Sequence, residues 1–504
     1  LAIFALIFKM SLLNIIYLLL GGKMTINKLY QNTLNKFDEI CKIPHCSGNE
    51  EQIGKWLINW AKSQNFVAKQ DEVGNVIIEV PAKGNISSNQ TVVLQGHMDM
   101  VCVKNEAYEH DFAKDPIQNY IEDGWMKAKG TTLGADNGIA LAIAMAIAED
   151  QNIVHPPLEL LFTVDEERGL TGANFLKANT LKGKILLNID SETEGEFTIG
   201  CAGGKDTHIE LGLTYEQLKN AKMIDIKIAG FTGGHSGIEI HQNRVNVIQV
   251  FARILNHIGL QNEYRLVDIK AGIAHNAIPR DGVLKIAVNE AEASDILHKL
   301  DNFFDLFLEE YINCDEDDAT FEMNIQDLEN NTVVSKEDSQ KVVNMLMALP
   351  HGVAYMSAAN PELVETSNNL AIVYIEDQKL KVLTSQRSSS ASRNEFITQK
   401  IESIARLAGA KVESGNGYPS WQPNWESELL RKCKEQYFEL YKKEAKVNVI
   451  HAGLECGIIG AKHDGMDMIS IGPNIRTPHS PEEKMEIISV EKVLAFLVML
   501  LKSL

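Results

Sequence analysis

The sequence predicts an α/β protein: a main domain with a central mixed β-sheet covered by helices, and an inserted α+β lid domain. Three observations predict it. Apolar runs of strand length alternate with helix-length stretches from about 24 to 204, and again after about 420. Between those points the composition shifts to Gly-rich turns and an acidic, poorly apolar stretch at 313–331. At 504 residues the chain exceeds what one hydrophobic core usually supports, so two domains are expected.

The elements follow in order. Residues 1–23, LAIFALIFKMSLLNIIYLLLGGK, are strongly apolar and resemble a short signal or anchor. Lys9 divides them into runs too short to span a bilayer, no small-x-small cleavage site is present, and Met24 opens a stretch that reads like a soluble start. They are taken as an upstream extension and left out of the fold. Helical spacing at 27–42 and 50–64 is followed by the strands NVIIEV (75–80) and TVVLQ (91–95). NGIALAIAMAIAED (137–150) reads as a buried helix with Asp136 and Asn137 as its capping residues. PLELLFTV (157–164) and ILLNI (185–189) are near-continuous apolar runs, as strands buried on both faces require. The sequence from about 205 to 418 alternates strand, turn and helix, and its length suggests two similar halves. MDMISIGP and VEKVLAFLVMLLKSL then supply a last strand and a closing helix. The expected organisation is therefore 24–204 and 419–504 for the main domain and 205–418 for the lid.

Charge excludes some functions. With 48 basic and 68 acidic residues the net charge is -20, which opposes nucleic acids and anionic membranes as partners. The 45% apolar and 23% charged content is that of an ordinary globular protein. Seven scattered cysteines without a CxxC pair suggest reduced thiols in a cytosol, with Cys102 and Cys201 as small packing residues.

Five separated segments place metal-type side chains after strands or at a helix start. They are GHMDMV with His97 and Asp99, GADNG with Asp136, VDEERG with Glu166 and Glu167, NIDSE with Asp190, and RTPHSPEE with His479. In open α/β sheets binding groups gather at the C-terminal ends of strands. One such carboxylate is usually a turn or cap residue; five segments together point to a site of two divalent ions. The mixed N/O ligand set suits zinc, with cobalt or manganese as alternatives. From the residues alone, Glu166 and Glu167 could exchange the roles of base and ligand, since neighbours in extended chain point oppositely. Asp165 and Arg168 read as charges on a turn, and Glu192, Glu194 and Glu196 as a solvated acidic edge.

These segments, with GTTLGADNG, GCAGG, GFTGGHSG, HNAIPR and HAGLECG in the same order, resemble the dinuclear zinc exopeptidase family. Within it the likeness is to the bacterial aminoacyl-histidine dipeptidases, over essentially 24–504. The resemblance implies that His97 and Asp190 hold one metal, Glu167 and His479 the other, and that Asp136 bridges ions roughly 3.5–4 Å apart. It implies Glu166 as general base for a metal-bridging hydroxide, and Asp99 as the carboxylate orienting His97.

The same resemblance gives the lid its roles. His235 would reach the developing oxyanion, Asn276 would contact substrate, and Arg387 would clamp the substrate's C-terminal carboxylate. Glu455 would pair with its free amino group. The implied substrates are Xaa-His and other dipeptides, β-alanyl-histidine among them, in the cytoplasm, with a homodimer as one expected assembly. The alternatives are an N-acyl amino acid deacylase or aminotripeptidase on the same fold, and a peptide-binding protein without catalysis.

Overall fold

A computed structural model describes residues 23–85, 90–311, 319–328, 331–415 and 417–504. The apolar stretch 1–22 and most of the acidic segment's first half lie outside them. The chain divides into two compact units. The first runs to Gly200 and resumes at Pro423–Val449 and Leu454–Leu504; the second is Cys201–Gln422 with Ile450–Gly453. The crossings thus fall at 200 and 422 rather than near 205 and 419, and the short return Ile450–Gly453 has no signature in composition.

The first unit begins with α1 (Lys23–Ile40) and α2 (Glu51–Ser63). In α1 the residues Ile26, Leu29, Thr33, Phe37 and Ile40, three or four apart, are buried, which is one helix face. Strands β1 (Val67–Gln70), β2 (Val76–Val80) and β3 (Val92–His97) follow, then α3 (Ala135–Glu149). After α3 come β4 (Leu158–Thr163), the helical turn α4 (Glu166–Gly169), β5 (Ile185–Asn188) and β6 (Glu196–Cys201). α3 is apolar all round, and Ile139, Leu141, Ile143, Met145 and Ile147 are fully buried. At about 1.5–3 kcal/mol for each such side chain, burial and not capping holds this helix in place. Asp136 and Asn137 do not cap it: they have non-helical backbone angles and the helix has no side-chain cap of its own.

The second unit carries β7 (Gly203–Gly212), β8 (Ala221–Ala229), α5 (Val247–Gly259), β9 (Tyr264–Ala271), β10 (Gly282–Asn289), α6 (Ala293–Glu309) and β11 (Thr320–Asp327). It continues with α7 (Lys336–Ala348), β12 (Val364–Glu376), β13 (Lys379–Ser388), α8 (Ala391–Leu407) and β14 (Lys411–Ser414). Its main sheet has the order β11-β8-β10-β9-β12-β13-β7-β14. Read as β-α-β-β-α-β, the strands β8, β9, β10 and β11 lie in the order 4-1-3-2, and β7, β12, β13 and β14 in the mirrored order 2-3-1-4. The two halves join through β9 and β12 at Lys270–Tyr374 and Ala271–Val373. One half is threaded between β7 and α7 of the other, which hides the repeat in the sequence.

The first unit closes with α9 (Glu428–Tyr441), β15 (Lys446–Ile450), α10 (Glu455–Lys462), β16 (Asp467–Ser470) and α11 (Ile487–Ser503). Its sheet order is β1-β2-β4-β3-β5-β16-β6-β15. β3 runs parallel to β4 and β5, and β16 parallel to β5, while β1, β2 and β6 pair antiparallel, so the sheet is mixed.

Two sequence expectations need correction here. The acidic stretch is not wholly a surface connection: Thr320–Asp327 pairs with β8 along its length as an edge strand. Phe321, Met323 and Ile325 alternate there with Glu322, Asn324 and Gln326, a strand period masked by the polar composition. The cysteines are not all free either, since Cys46 and Cys102 form a disulfide; Cys41, Cys201, Cys433 and Cys456 are buried thiols. Among the described residues no helix is long and apolar enough to cross a membrane.

Candidate metal centre and active site

Three parallel strands of the first unit end at one sheet edge. His97 is the last residue of β3, Glu166 and Glu167 open the turn after β4, and Asp190 lies just past β5. Asp136 stands at the start of α3. His479 sits between two short strands, Ile475–Arg476 and Lys484–Glu486, paired antiparallel, and the second pairs onto Trp125–Ala128. At His479 φ is 60°, a left-handed conformation that is uncommon for a residue with a side chain.

The five side chains meet. His97 Nε2 lies 3.2 Å from Asp136 Oδ1 and 3.4 Å from Asp190 Oδ1. His479 Nε2 lies 3.2 Å from Asp136 Oδ2 and 3.0 Å from Glu167 Oε2. Asp136 thus offers one oxygen to each imidazole. Ligand atoms of His97, Asp136 and Glu167 all fall within 4.8 Å of one another, a group able to hold a metal ion. Two ligands at about 2.1 Å on one tetrahedral ion are roughly 3.4 Å apart, close to these separations. Glu167 Oε1 is buried with no hydrogen-bond partner among the described residues, an oxygen left over for a further ligand.

The electrostatics agree. Burial alone would lower His97, but Asp190, Asp136 and Asp99 hold it well above the usual imidazole range. Hydrogen bonds to Asp136 and Glu167 push His479 up to about 10. Burial, with Asp136 and Glu167 beside it and against the pull of His97, raises Asp190 to about 6. The pocket therefore collects protons where divalent cations would satisfy the same atoms, and metal binding would release those protons. Burial raises Glu166 well above the usual carboxylate range, with Asp190, Glu455 and Glu167 adding to it and His97 opposing.

Glu166 and Glu167 lie on a helical turn, not on extended chain, so neighbouring side chains diverge by about 100° rather than pointing oppositely. Asp99 holds that turn: its Oδ1 accepts from the Glu166 amide at 3.0 Å and its Oδ2 from the Glu167 amide at 3.2 Å and Ser47 Oγ at 2.8 Å. Burial opposes ionisation of Asp99, yet His97 and these donors lower it to about 2. His97 Nδ1 is nearer the Asp99 backbone oxygen (3.0 Å) than its carboxylate (3.4 Å), so one residue orients the ring through two groups.

Two further residues complete the frame: Asn137, which the sequence suggested only as a helix cap, and Glu483, which it did not single out. Asn137 Oδ1 accepts from the His97 amide at 3.2 Å, and its Nδ2 donates to the Ile189 carbonyl at 2.8 Å, tying β3 and β5 to α3. A Cβ on Gly96 would come within 2.4 Å of that Asn137 oxygen, which is why glycine precedes His97. Glu483, from the His479 loop, accepts from the amides of Leu133 to Asp136.

Other candidates are placed differently. Glu455 is fully buried; its Oε2 accepts from Gln95 Nε2 at 2.6 Å and Thr163 Oγ1 at 2.7 Å, and Gln95 also accepts from Asn188 Nδ2. It is a polar brace inside the sheet with no access for a substrate amino group. Burial raises it to about 7. Glu192, Glu194 and Glu196 are not a solvated edge. Glu194 accepts from Tyr437 and Lys492, Glu196 pairs with Lys446, and burial with Asp136 and Asp190 nearby raises Glu192 to about 7. Asp165 and Arg168 form an ion pair on the turn.

The second unit holds its own cluster. Arg387, on β13, is 6% exposed; its Nη1 donates to Tyr418 Oη at 2.9 Å and its Nε has no partner among the described residues. Among the described residues no carboxylate forms an ion pair with it, since Asp206 is engaged by His275 at 3.0 Å. His235 Nδ1 accepts from the amides of Gly237 (3.1 Å) and Ile238 (3.3 Å), so the neutral ring carries its proton on Nε2. Burial and Arg387 lower His235, and burial, Arg387 and His241 lower His451 to about 3. Asn276 adjoins the His235 loop: its carbonyl accepts from the Ser236 amide, and His235 bridges to Ala277. The ring of Tyr418 lies where a Cβ on Gly204 or Gly453 would stand, which accounts for the last glycine of GCAGG and the first of HAGLECG.

Known proteins share this arrangement of chain. The chain is 39% identical over 469 residues to the cytosol non-specific dipeptidase of Escherichia coli (strain K12), covering 93% of this chain and 96% of that protein. The crystal structure of aminoacylhistidine dipeptidase from Vibrio alginolyticus superposes with a TM-score of 0.86 at 39% identity, over 94% of this chain and 96% of that one. An aminopeptidase from Bacillus cereus shares the fold, with a TM-score of 0.55 at 15% identity over 94% and 98% of the two chains. The description of peptidase family M20/M25/M40 matches residues 93–503, and the chain belongs to that family.

Proposed function

We propose that this protein is a metal-dependent dipeptidase acting on Xaa-His and other dipeptides, β-alanyl-histidine among them, in the cytoplasm. One observation carries the reading: His97 and His479 each lie 3.2 Å from a different oxygen of Asp136, and the same two rings lie 3.4 Å from Asp190 and 3.0 Å from Glu167. The substrate class is supported by the names of the Escherichia coli and Vibrio alginolyticus relatives. His97 and Asp190 would hold one ion and Glu167 and His479 the other, with Asp136 shared; zinc suits the donors, and cobalt or manganese would too. When bound, such cations polarise the scissile carbonyl and acidify water.

The chain's own residues do the rest in this reading. Glu166, whose proton affinity is raised by burial, takes the proton of the attacking water and passes it to the leaving amine. Asp99 holds the Glu166 and Glu167 amides so that the base and the ligand keep separate directions. His235 presents its Nε2–H as donor to the oxyanion, since its Nδ1 is taken by two amides. Arg387, a buried guanidinium with no carboxylate paired to it among the described residues, receives the C-terminal carboxylate of the substrate. Asn276, beside the His235 loop, contacts the bound peptide.

Stripping the protein with a strong chelator and reloading it with zinc, cobalt or manganese tests the reading. Hydrolysis of dipeptides should vanish and return, while N-acyl amino acids and tripeptides should be poor substrates. Undiminished hydrolysis after complete metal removal, or a preference for N-acyl amino acids, would overturn it.

A further inference from the structure

We propose that Glu483 is the positioning residue for the shared carboxylate, gripping the Asp136 segment from behind while His479 meets it from the front. The inference rests on the metal reading above and assigns a role to a residue outside the ligand set. Glu483 is 2% exposed. Its Oε2 accepts from the amides of Leu133 (2.7 Å) and Gly134 (2.9 Å), and its Oε1 from those of Ala135 (2.8 Å) and Asp136 (3.2 Å). Four consecutive amides thus converge on one carboxylate, an arrangement made possible by the left-handed φ of 71° at Gly134. A Cβ there would also come within 2.7 Å of Met100 Sδ, so the turn depends on glycine twice over.

The loop that delivers Glu483 delivers His479 as well. Asp136 is therefore fixed at both ends, its amide by Glu483 and its Oδ2 by His479 at 3.2 Å. Ligand and support stand four residues apart on one loop. A glutamine at 483 would keep the volume but offer one acceptor oxygen, and its NH2 would face two of the amide donors. The Asp136 carboxylate would then lose its fixed position between the two imidazoles.

Glu159 provides the comparison. It is 1% exposed and its Oε2 accepts from the amides of Lys182 (2.8 Å) and Gly183 (2.9 Å), but it lies at the end of β4 away from the ligands. Cobalt titration followed by d–d absorption, together with thermal melting, separates the two roles. Wild type should bind two cobalt ions per chain, Glu483→Gln should bind them about 10- to 100-fold more weakly, and Glu159→Gln should melt lower yet bind as wild type does. If Glu483→Gln does not fold, Glu483→Asp carries the test, and its cobalt affinity should fall at least about threefold. Wild-type affinity in Glu483→Gln, or in Glu483→Asp where only that variant folds, overturns the inference alone. Failure of wild type to bind cobalt overturns the metal reading and this inference with it.

Discussion

His97 and His479 of the first unit and His235 and His451 of the second are shifted in opposite directions. In the first, the carboxylates around His97 and His479 raise both rings, His479 to about 10. In the second, burial and the Arg387 guanidinium lower His235, and His451 to about 3. In the first unit burial and neighbouring carboxylates raise Asp190 and Glu166; in the second the buried Arg387 forms no ion pair among the described residues. In the proposed reading the first unit takes the cations and Arg387 of the second takes the carboxylate of the peptide.

Variants that strike each unit separately sharpen this contrast. The largest effect is expected from Glu166→Gln, which should lower kcat about 10²- to 10⁴-fold while leaving bound metal unchanged. A loss below tenfold, measured on the same dipeptide, would move the base elsewhere in the first unit. His235→Ala should lower kcat about 10²- to 10³-fold with little change in KM, the pattern of a donor that acts on the transition state. Arg387→Met should cut kcat/KM for dipeptides with a free carboxylate about 30-fold or more, and hardly at all for the C-terminal amides. Equal losses on acid and amide would show that Arg387 supports the fold and not the ligand.

The smallest effect is on stability against pH. In chelator-treated protein His479 is raised from 6.5 to about 10, so its contribution is full below 6.5 and is lost as pH rises towards 10. His451 is lowered from 6.5 to about 3, so its contribution is present above 6.5 and is lost as pH falls towards 3. Calorimetry should show the metal-free protein melting lower at pH 10 than at pH 7, and metal should remove that decline because it needs the neutral imidazoles. A melting temperature unchanged between pH 7 and 10 without metal would contradict the charge assignment of the first unit.

The sheet and its apolar helix were legible because burial writes itself into composition: Leu160–Phe162 and Ile139–Ala148 are apolar without interruption. Metal-type residues were legible for a related reason, since strands ending in His or Asp at one sheet edge recur along the chain. What stayed hidden depends on contacts between distant residues. Glu483 binds amides 347 to 350 residues away, and nothing local marks it except its place four residues after His479. The interior position of Glu455 follows from Gln95 and Thr163, which the sequence does not connect to it. Cys46 and Cys102 pair across 56 residues without a CxxC pattern. The strand at Thr320–Asp327 was obscured because an exposed edge tolerates the polar residues that otherwise mark a loop.

The central claim is that two cations share Asp136, and anomalous scattering from a crystal of the manganese- or zinc-loaded protein tests it most directly. The account expects two peaks, one between His97 and Asp190 and one between Glu167 and His479, with an Asp136 oxygen directed at each. A single peak, or peaks away from Asp136, would contradict it.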